Sequence, residues 1–341
     1  MLRITNTAVI MDKILLGHGS GGKLMHQLIR EHFSPAFGIE GMGDSAIMSL
    51  PPGKLAFTTD SYVVTPLFFP GGNIGDLAVH GTVNDLAVSG AEPLYLTAGF
   101  IIEEGFPLAD LKVIVASMAE AAQKAGVRIV AGDTKVVNKG KGDGLFINTS
   151  GVGVLRDGTE ISASRIKAGD RVVISGEIGN HGIAVLAERN GLSFDPPVIT
   201  DSRPLNGLVR AMLNVARDIH FMRDPTRGGV STTLKEAALE CGLCIRLREN
   251  ALPIPRQVKG ACELLGLDPL FVANEGILIA VLDEIRVDSV VSEMKNHSFG
   301  RNTAIIGEVV KEPSGMVLLE TAIGGSRIVD MLPGEMLPRI C

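Results

Sequence analysis

Residues 58–93 read TTDSYVVTPLFFPGGNIGDLAVHGTVNDLAVSGAEP. Upstream, Lys54–Thr59 is a β-like run that delivers Asp60 to its end. Downstream, Asn73–Gly90 has helical spacing, with Ile74, Leu77, Ala78, Gly81 and Val88 on one face. Asp85 falls in phase with that apolar face, and a carboxylate there is costly unless it is paired or bound to a metal.

Three further aspartates sit in similar surroundings: Asp44 in GMGDS, Asp60 in FTTDS and Asp133 in VAGDTK. Asp60 and Asp133 each close an apolar β-run, where a side chain faces the rim of a sheet. Several carboxylates converging without His or Cys make a hard-oxygen site, which suits Mg²⁺ bridging to phosphate. Each aspartate alone could equally be an Asx-turn or a helix cap. Gly17–Lys23 reads GHGSGGK, close to a P-loop, but Leu24 stands where a Mg²⁺-ligating hydroxyl is required. Such a loop can offer backbone N–H groups to an anion and open a helix, or be a plain turn.

Further β-runs at Leu94–Ile102, Val127–Ala131 and Leu145–Leu155 alternate with a helix through Leu108, Leu111, Val115, Met118 and Ala122. Asp157–Asp170 reads as a connection between domains. Strands at Arg171–Ser175, Cys244–Arg248, Ile277–Leu282 and Thr303–Val310 then mix with helices at His181–Asn190, at 205–216 and after Gly229, and Met316–Glu320 is hairpin-like. There is no regular βαβ beat, so the class is α+β.

The chain has 341 residues, the length of two ordinary domains. Glycine supplies 41 of them, well above the usual share of roughly 7%, without a collagen period, so the excess belongs to turns and close backbone approaches. A net charge of −6 and an aromatic content of 4% argue against a nucleic-acid surface. The longest apolar run, Ile277–Leu282, is far short of the ~20 residues of a membrane helix, and the start of the chain carries no signal-peptide pattern. Four cysteines are no disulfide framework, and a cytoplasmic location is expected.

Cys241 and Cys244 form one C-x₂-C without a second pair, and with Cys262 they read as core thiols. Cys341 differs, because it follows the aperiodic tail Met331–Cys341, MLPGEMLPRIC. Fully extended, that tail spans ~35 Å at ~3.3–3.6 Å per residue, enough to carry a thiolate into a cleft as a swinging arm. An accidental terminus is the plainer alternative.

GHGSGGK, GMGDSA, the stretch 58–93, VAGDTK, KGKGDGLFINT, RDPTRGG and the terminal PRIC together resemble the HypE family of hydrogenase maturation proteins. That family lies in the superfamily of aminoimidazole ribonucleotide synthetase, selenophosphate synthetase and thiamine-monophosphate kinase. The likeness runs over essentially the whole chain, with Asn180 in GNHG a departure where an acid is common. It implies an α+β protein with a mixed-sheet, ATP-binding N-terminal domain (1–157) that forms a homodimer. A C-terminal α/β sandwich domain (158–330) and a flexible tail (331–341) complete it.

The chemistry implied is ATP-dependent dehydration of a carboxamide on Cys341 to a thiocyanate, a cyanide source for the iron of nickel–iron hydrogenase. Lys135 and Glu275 are the implied bases. Gly19, Ser20, Gly21, Gly22, Asp60, Asn84, Asp85, Asp133, Asp224 and Arg227 are implied for ATP, and Asp44, Asp60, Asp85 and Asp133 for Mg²⁺. The carbamoyltransferase HypF would load the cysteine, and the HypC–HypD complex would receive the product. Against the sister enzymes, no cysteine stands beside the Gly-rich loop as in selenophosphate synthetase, and a thiamine-monophosphate kinase has no use for a terminal cysteine. A non-catalytic maturation scaffold is the remaining alternative, and it would not need an acid on an apolar face.

Overall fold

A computed structural model describes residues 12–39, 45–331, 334 and 339–341. In chain order the elements of the first half are α1 (Lys23–Leu28), α2 (Ser34–Phe37), β1 (Leu55–Tyr62), β2 (Phe68–Phe69), β3 (Gly72–Asn73), α3 (Ile74–Val88), β4 (Ala91–Glu103), α4 (Leu108–Ala125), β5 (Arg128–Val137) and β6 (Leu145–Leu155). The second half holds β7 (Arg171–Ile174), α5 (Asn180–Asn190), α6 (Asn206–Val215), β8 (Ile219–Arg223), α7 (Gly229–Cys241), β9 (Cys244–Arg248), α8 (Arg256–Leu265), β10 (Ile279–Leu282), α9 (Glu284–Asn296), β11 (Ala304–Val310), β12 (Val317–Glu320) and β13 (Ser326–Val329).

The first sheet has the order β1-β6-β4-β5, antiparallel except for the β4–β5 pair. The helices α3 and α4 cover one face, packing on inward residues such as Leu96, Ala98, Phe100 and Ile102. The other face is open: Phe57 is 74% exposed and Ile101 46%. The second sheet has the order β13-β12-β9-β11-β7-β10-β8. Its strands alternate between two cores, with Val172 and Ile174 facing α7 and Val173 facing α6 and α9. This is the sandwich expected of the second half.

The helix α3 starts in a capping box: Asn73 Oδ1 accepts from Gly75 N at 2.8 Å, and the Asp76 carboxylate accepts from Asn73 N at 3.1 Å. The expectation of a single apolar stripe on α3 needs correction. Nearly every residue of this helix is buried, because it is wedged between the first sheet, α4 and α6 of the second half. Two elements carry weak signatures in the sequence. The strand β8 is interrupted by His220, and α9 has only Val287, Val290 and Met294 on its buried side. Among the described residues no helix is long and apolar enough to cross a membrane.

Candidate active site at the domain boundary

β1 alternates its side chains across the sheet, which puts Thr58 and Asp60 on the helix-covered side and Thr59 and Ser61 on the open side. Thr58 Oγ1 donates to Asp85 Oδ2 on α3 at 2.8 Å. The loop after β8 brings Asp224 against this pair, and the Asn274–Gly276 segment ahead of β10 brings Glu275. Both acids are buried, Glu275 at 2% exposure. Burial, then the nearby Asp85, pushes the Asp224 carboxyl up to about 7. Burial, then Asp224 and Asp201, pushes Glu275 well above the carboxylate range. Asp85 is likewise raised, first by burial.

Cys341 enters the same space. The described end of the chain, 339–341, is docked there, one of the positions open to an arm that can enter a cleft. Val63 N donates to Cys341 O at 3.2 Å and Thr65 N to Arg339 O at 3.2 Å, so the last residues run beside the chain that leaves β1. Ile340 is 2% exposed in the first core. Burial pushes the Cys341 thiol far up, with Glu275 the largest charge acting in the same direction and Arg227 opposing it. The docked sulfur is therefore a protonated thiol facing an acid.

Asp133, Lys135 and the Gly-rich loop, all anticipated for this site, are placed elsewhere. Asp133 and Lys135 lie within β5 instead of at a strand end, and they pair with Gly99 and Ile101 of β4 on the open face. Asp60 is three strands away, roughly 14 Å at about 4.8 Å per strand, on the opposite face. Lys135 Nζ donates to Asp133 at 2.6 and 2.8 Å, and both side chains are exposed. The Gly-rich loop belongs to the same edge: a Cβ on Gly19 would lie 2.3 Å from Val136 N, so this close approach requires glycine. Ser20 Oγ donates to Gly17 O at 3.0 Å, while Gly21 and Gly22 are exposed.

Asn84 holds the halves together. Its amide donates to Arg203 O and Glu275 O, and its oxygen accepts from Leu205 N, all at 3.2 Å or less. With no solvent exposure, it has no surface to offer a nucleotide in this arrangement. Arg227 is exposed at the mouth of the site. Asp44 lies outside the described residues.

Among the described residues no three acidic, His or Cys side chains approach closely enough to cage an ion by themselves. The all-oxygen donor set of Asp85, Asp224 and Glu275, whose mutual repulsion a cation would relieve, fits Mg²⁺ held by one or two carboxylates, with phosphate oxygens completing its shell. A cavity of about 600 Å³ opens below β4 and β5, lined by Phe33, Ile47, Met48, Phe100, Gly132 and Asp133.

Several participants have no signature in the sequence. Asp201 accepts from Glu275 N and Gly276 N, and His181 bonds the tail. Asn274 pins the Glu275 segment to Gly179 and Pro225. The one available cue is Gly276, where a Cβ would stand 1.7 Å from Asp201 O.

Residues 42–155 match the family model for the N-terminal domain of AIR synthase related proteins, and 167–320 match that for the C-terminal domain. The chain is 54% identical over 327 residues to the carbamoyl dehydratase HypE of Azotobacter vinelandii, covering 95% of this chain and 96% of that protein. Against the Escherichia coli K12 carbamoyl dehydratase HypE it is 45% identical over 339 residues, covering 97% and 100%. A crystal structure of HypE in complex with ATP superposes with a TM-score of 0.92 at 45% identity, covering 96% of this chain and 99% of that one. A HypE–HypF complex aligns at a TM-score of 0.80 and 48% identity, covering 91% and 100%. A thiamine-monophosphate kinase from Stenotrophomonas maltophilia, at 17% identity and a TM-score of 0.64, shares the fold. The chain therefore belongs to the HypE family of hydrogenase maturation proteins, built on the two domains of the AIR synthase related proteins.

Proposed function

We propose that this chain is an ATP-dependent carbamoyl dehydratase whose substrate is a carboxamide carried as a thioester-like adduct on its own Cys341. The observation that carries this reading is the docked thiol of Cys341 facing the buried Glu275, beside Asp60, Asp85 and Asp224.

In the reaction, the amide oxygen of the S-carboxamide attacks the γ-phosphorus of ATP and ADP departs. The two N–H protons are then lost, the C–O bond breaks with phosphate leaving, and the carbon is left triply bonded to nitrogen as an S-cyanate. Glu275 would accept a proton from nitrogen once a bound cation relieves the repulsion from Asp224, Asp201, Asp60 and Asp85 that, with burial, keeps its own proton on in the empty site. One or two of Asp60, Asp85 and Asp224 would hold Mg²⁺, which would neutralise the phosphates and the charge developing on them. The cavity beside Asp133, at about 600 Å³, is large enough to take the nucleotide base.

One chain supplies two half-sites on opposite faces and edges of the first sheet. We infer that a homodimer formed through the open face unites them, adding the Gly-rich loop, Asp133 and Lys135 of a second copy to the Cys341 cluster. The open, partly apolar face supports this. HypF is the inferred loading partner, as the solved complex of relatives suggests. The HypC–HypD complex is the inferred cyanide acceptor, with the work carried out in the cytoplasm.

Intact-mass measurement tests the reading. The chain incubated with HypF, carbamoyl phosphate and ATP should gain a carboxamide on the Cys341 peptide and then lose one water. A chain that hydrolyses ATP but never carries the adduct would overturn it.

A further inference from the structure

Two adjacent residues between α5 and α6, Thr200 and Asp201, hold opposite partners of the site. Thr200 Oγ1 lies 2.8 Å from Nδ1 of His181, and the other nitrogen of that ring, Nε2, lies 2.9 Å from the carbonyl oxygen of Ile340. A carbonyl only accepts, so Nε2 carries the hydrogen. His181 is fully buried and its pKa is lowered by that burial, so the ring is neutral and Nδ1 is the acceptor for the Thr200 hydroxyl. Thr200 Oγ1 in turn accepts from Ser202 N at 3.1 Å, which directs its hydrogen at the ring. Phe69 sets the imidazole plane, meeting it edge-on at 5.5 Å.

One residue later, the carboxylate of Asp201, 2% exposed, accepts from Glu275 N at 3.2 Å and Gly276 N at 3.0 Å. Its own carbonyl accepts from Arg203 Nε at 2.7 Å and occupies the space a Cβ on residue 276 would need. The two contacts start from consecutive Cα atoms, about 3.8 Å apart. One ends next to the sulfur-bearing residue and the other on the backbone of the acid.

We propose that Thr200, through His181, and Asp201 are positioning residues that register Cys341 against Glu275. The hydroxyl fixes the tautomer that grips the tail, and the carboxylate fixes the segment that presents the acid. This rests on the assignment of Glu275 as proton acceptor.

The test compares Thr200→Val, Thr200→Ser and Asp201→Asn in the full chain. Without its hydroxyl donor, the Thr200→Val ring is free to carry its hydrogen on Nδ1 and to lose Ile340. Alkylation of Cys341 by iodoacetamide, with no nucleotide present, should then rise about tenfold, as expected for one buried hydrogen bond. Dehydration kcat should fall at least about tenfold with the KM for ATP within about twofold. Thr200→Ser should restore both values. Asp201→Asn should lower kcat to a similar degree with Cys341 alkylation unchanged.

Wild-type alkylation and kcat in Thr200→Val would overturn the tail half, and wild-type kcat in Asp201→Asn the acid half. Equal losses in kcat and ATP affinity would reduce either residue to a packing role and also overturn the proposal. Glu275→Gln separates the two readings: full turnover in that variant refutes Glu275 as the base, while the Thr200 alkylation result still decides the grip on the tail.

Discussion

Asp85 on α3 and Asp224 after β8 are two carboxylates set against each other across the domain boundary, and together with burial their proximity pushes the Asp224 carboxyl from 3.8 to about 7. The native chain thus keeps this proton between about pH 4 and 7, where the unfolded chain has released it. With fewer protons bound in the unfolded state, stability falls as pH rises through that window, and the Asp224 contribution is complete above about 7. Metal-free protein in a chelator should melt at a lower temperature at about pH 8 than at about pH 5. Asp224→Asn should flatten that slope and stabilise the alkaline protein by on the order of 1–3 kcal/mol, since it removes a buried charge. Calorimetry across the range checks this; parallel curves for variant and wild type would place the slope elsewhere.

Asp85→Asn separates binding from folding. The Thr58 hydroxyl donates to Asp85 Oδ2, and an asparagine oxygen can take the same hydrogen, so the internal bond survives the change. Loss of the charge should weaken Mg·ATP binding by about ten- to hundredfold while leaving the melting temperature equal or higher. Titration calorimetry and thermal melts on one sample provide the comparison. An equal loss of both would mark Asp85 as a structural cap.

The stretch 58–93 disclosed most of the first domain because its strand and helix carry the two periodicities undiluted. Asp85 was visible as an anomaly for the same reason: a charge stands out against apolar spacing. What the spacing could not convey is that α3 is buried all round, since the residues covering its far side come from α6, more than a hundred positions away. Asp60 and Asp133 look alike in the sequence, each beside Thr or Gly at a β-run. Only the strand order and pleat place them on opposite faces of opposite edge strands. Asp201 and His181 had no local signal, because their roles arise from contacts with Glu275 and Ile340. The docking of Cys341 was hidden too, since a tail with two prolines has no periodicity to betray its seat.

Arg339 anchors that seat. Its Nε donates to Val63 O at 2.9 Å, its guanidinium pairs with Asp143 and lies 5.8 Å over the Phe146 ring, and its carbonyl accepts from Arg189 Nη2 at 2.7 Å. The backbone there is left-handed, with φ 53°. Arg339→Ala removes the side-chain contacts, about 1.5–3 kcal/mol for hydrogen bonds to a charged group, and leaves the carbonyl in place. Cys341 should then react with iodoacetamide about ten- to a hundredfold faster, since burial now suppresses the thiolate. Unchanged reactivity would mean that Ile340 and the backbone bonds suffice to dock the tail.

Lys135 and Cys341 cannot meet within one chain if the open face of the first sheet is where two copies join. Lys135 is exposed on the far edge strand, and its surface pair with Asp133 contributes little to stability. Lys135→Ala should therefore fold normally and lose dehydration, as should Cys341→Ala. Under a twofold interface, a heterodimer of these two variants has one site with both lesions and one with neither. Mixing and re-equilibrating equal amounts should recover about a quarter of wild-type turnover, because about half the dimers are mixed and half their sites intact. Each variant alone should stay inactive. Phe57→Glu on the same face should prevent recovery and shift the light-scattering mass toward that of one chain, since it places a charge where apolar surface must be covered. A mixture as inactive as its components, with dimers present, would confine the reaction to residues of a single chain.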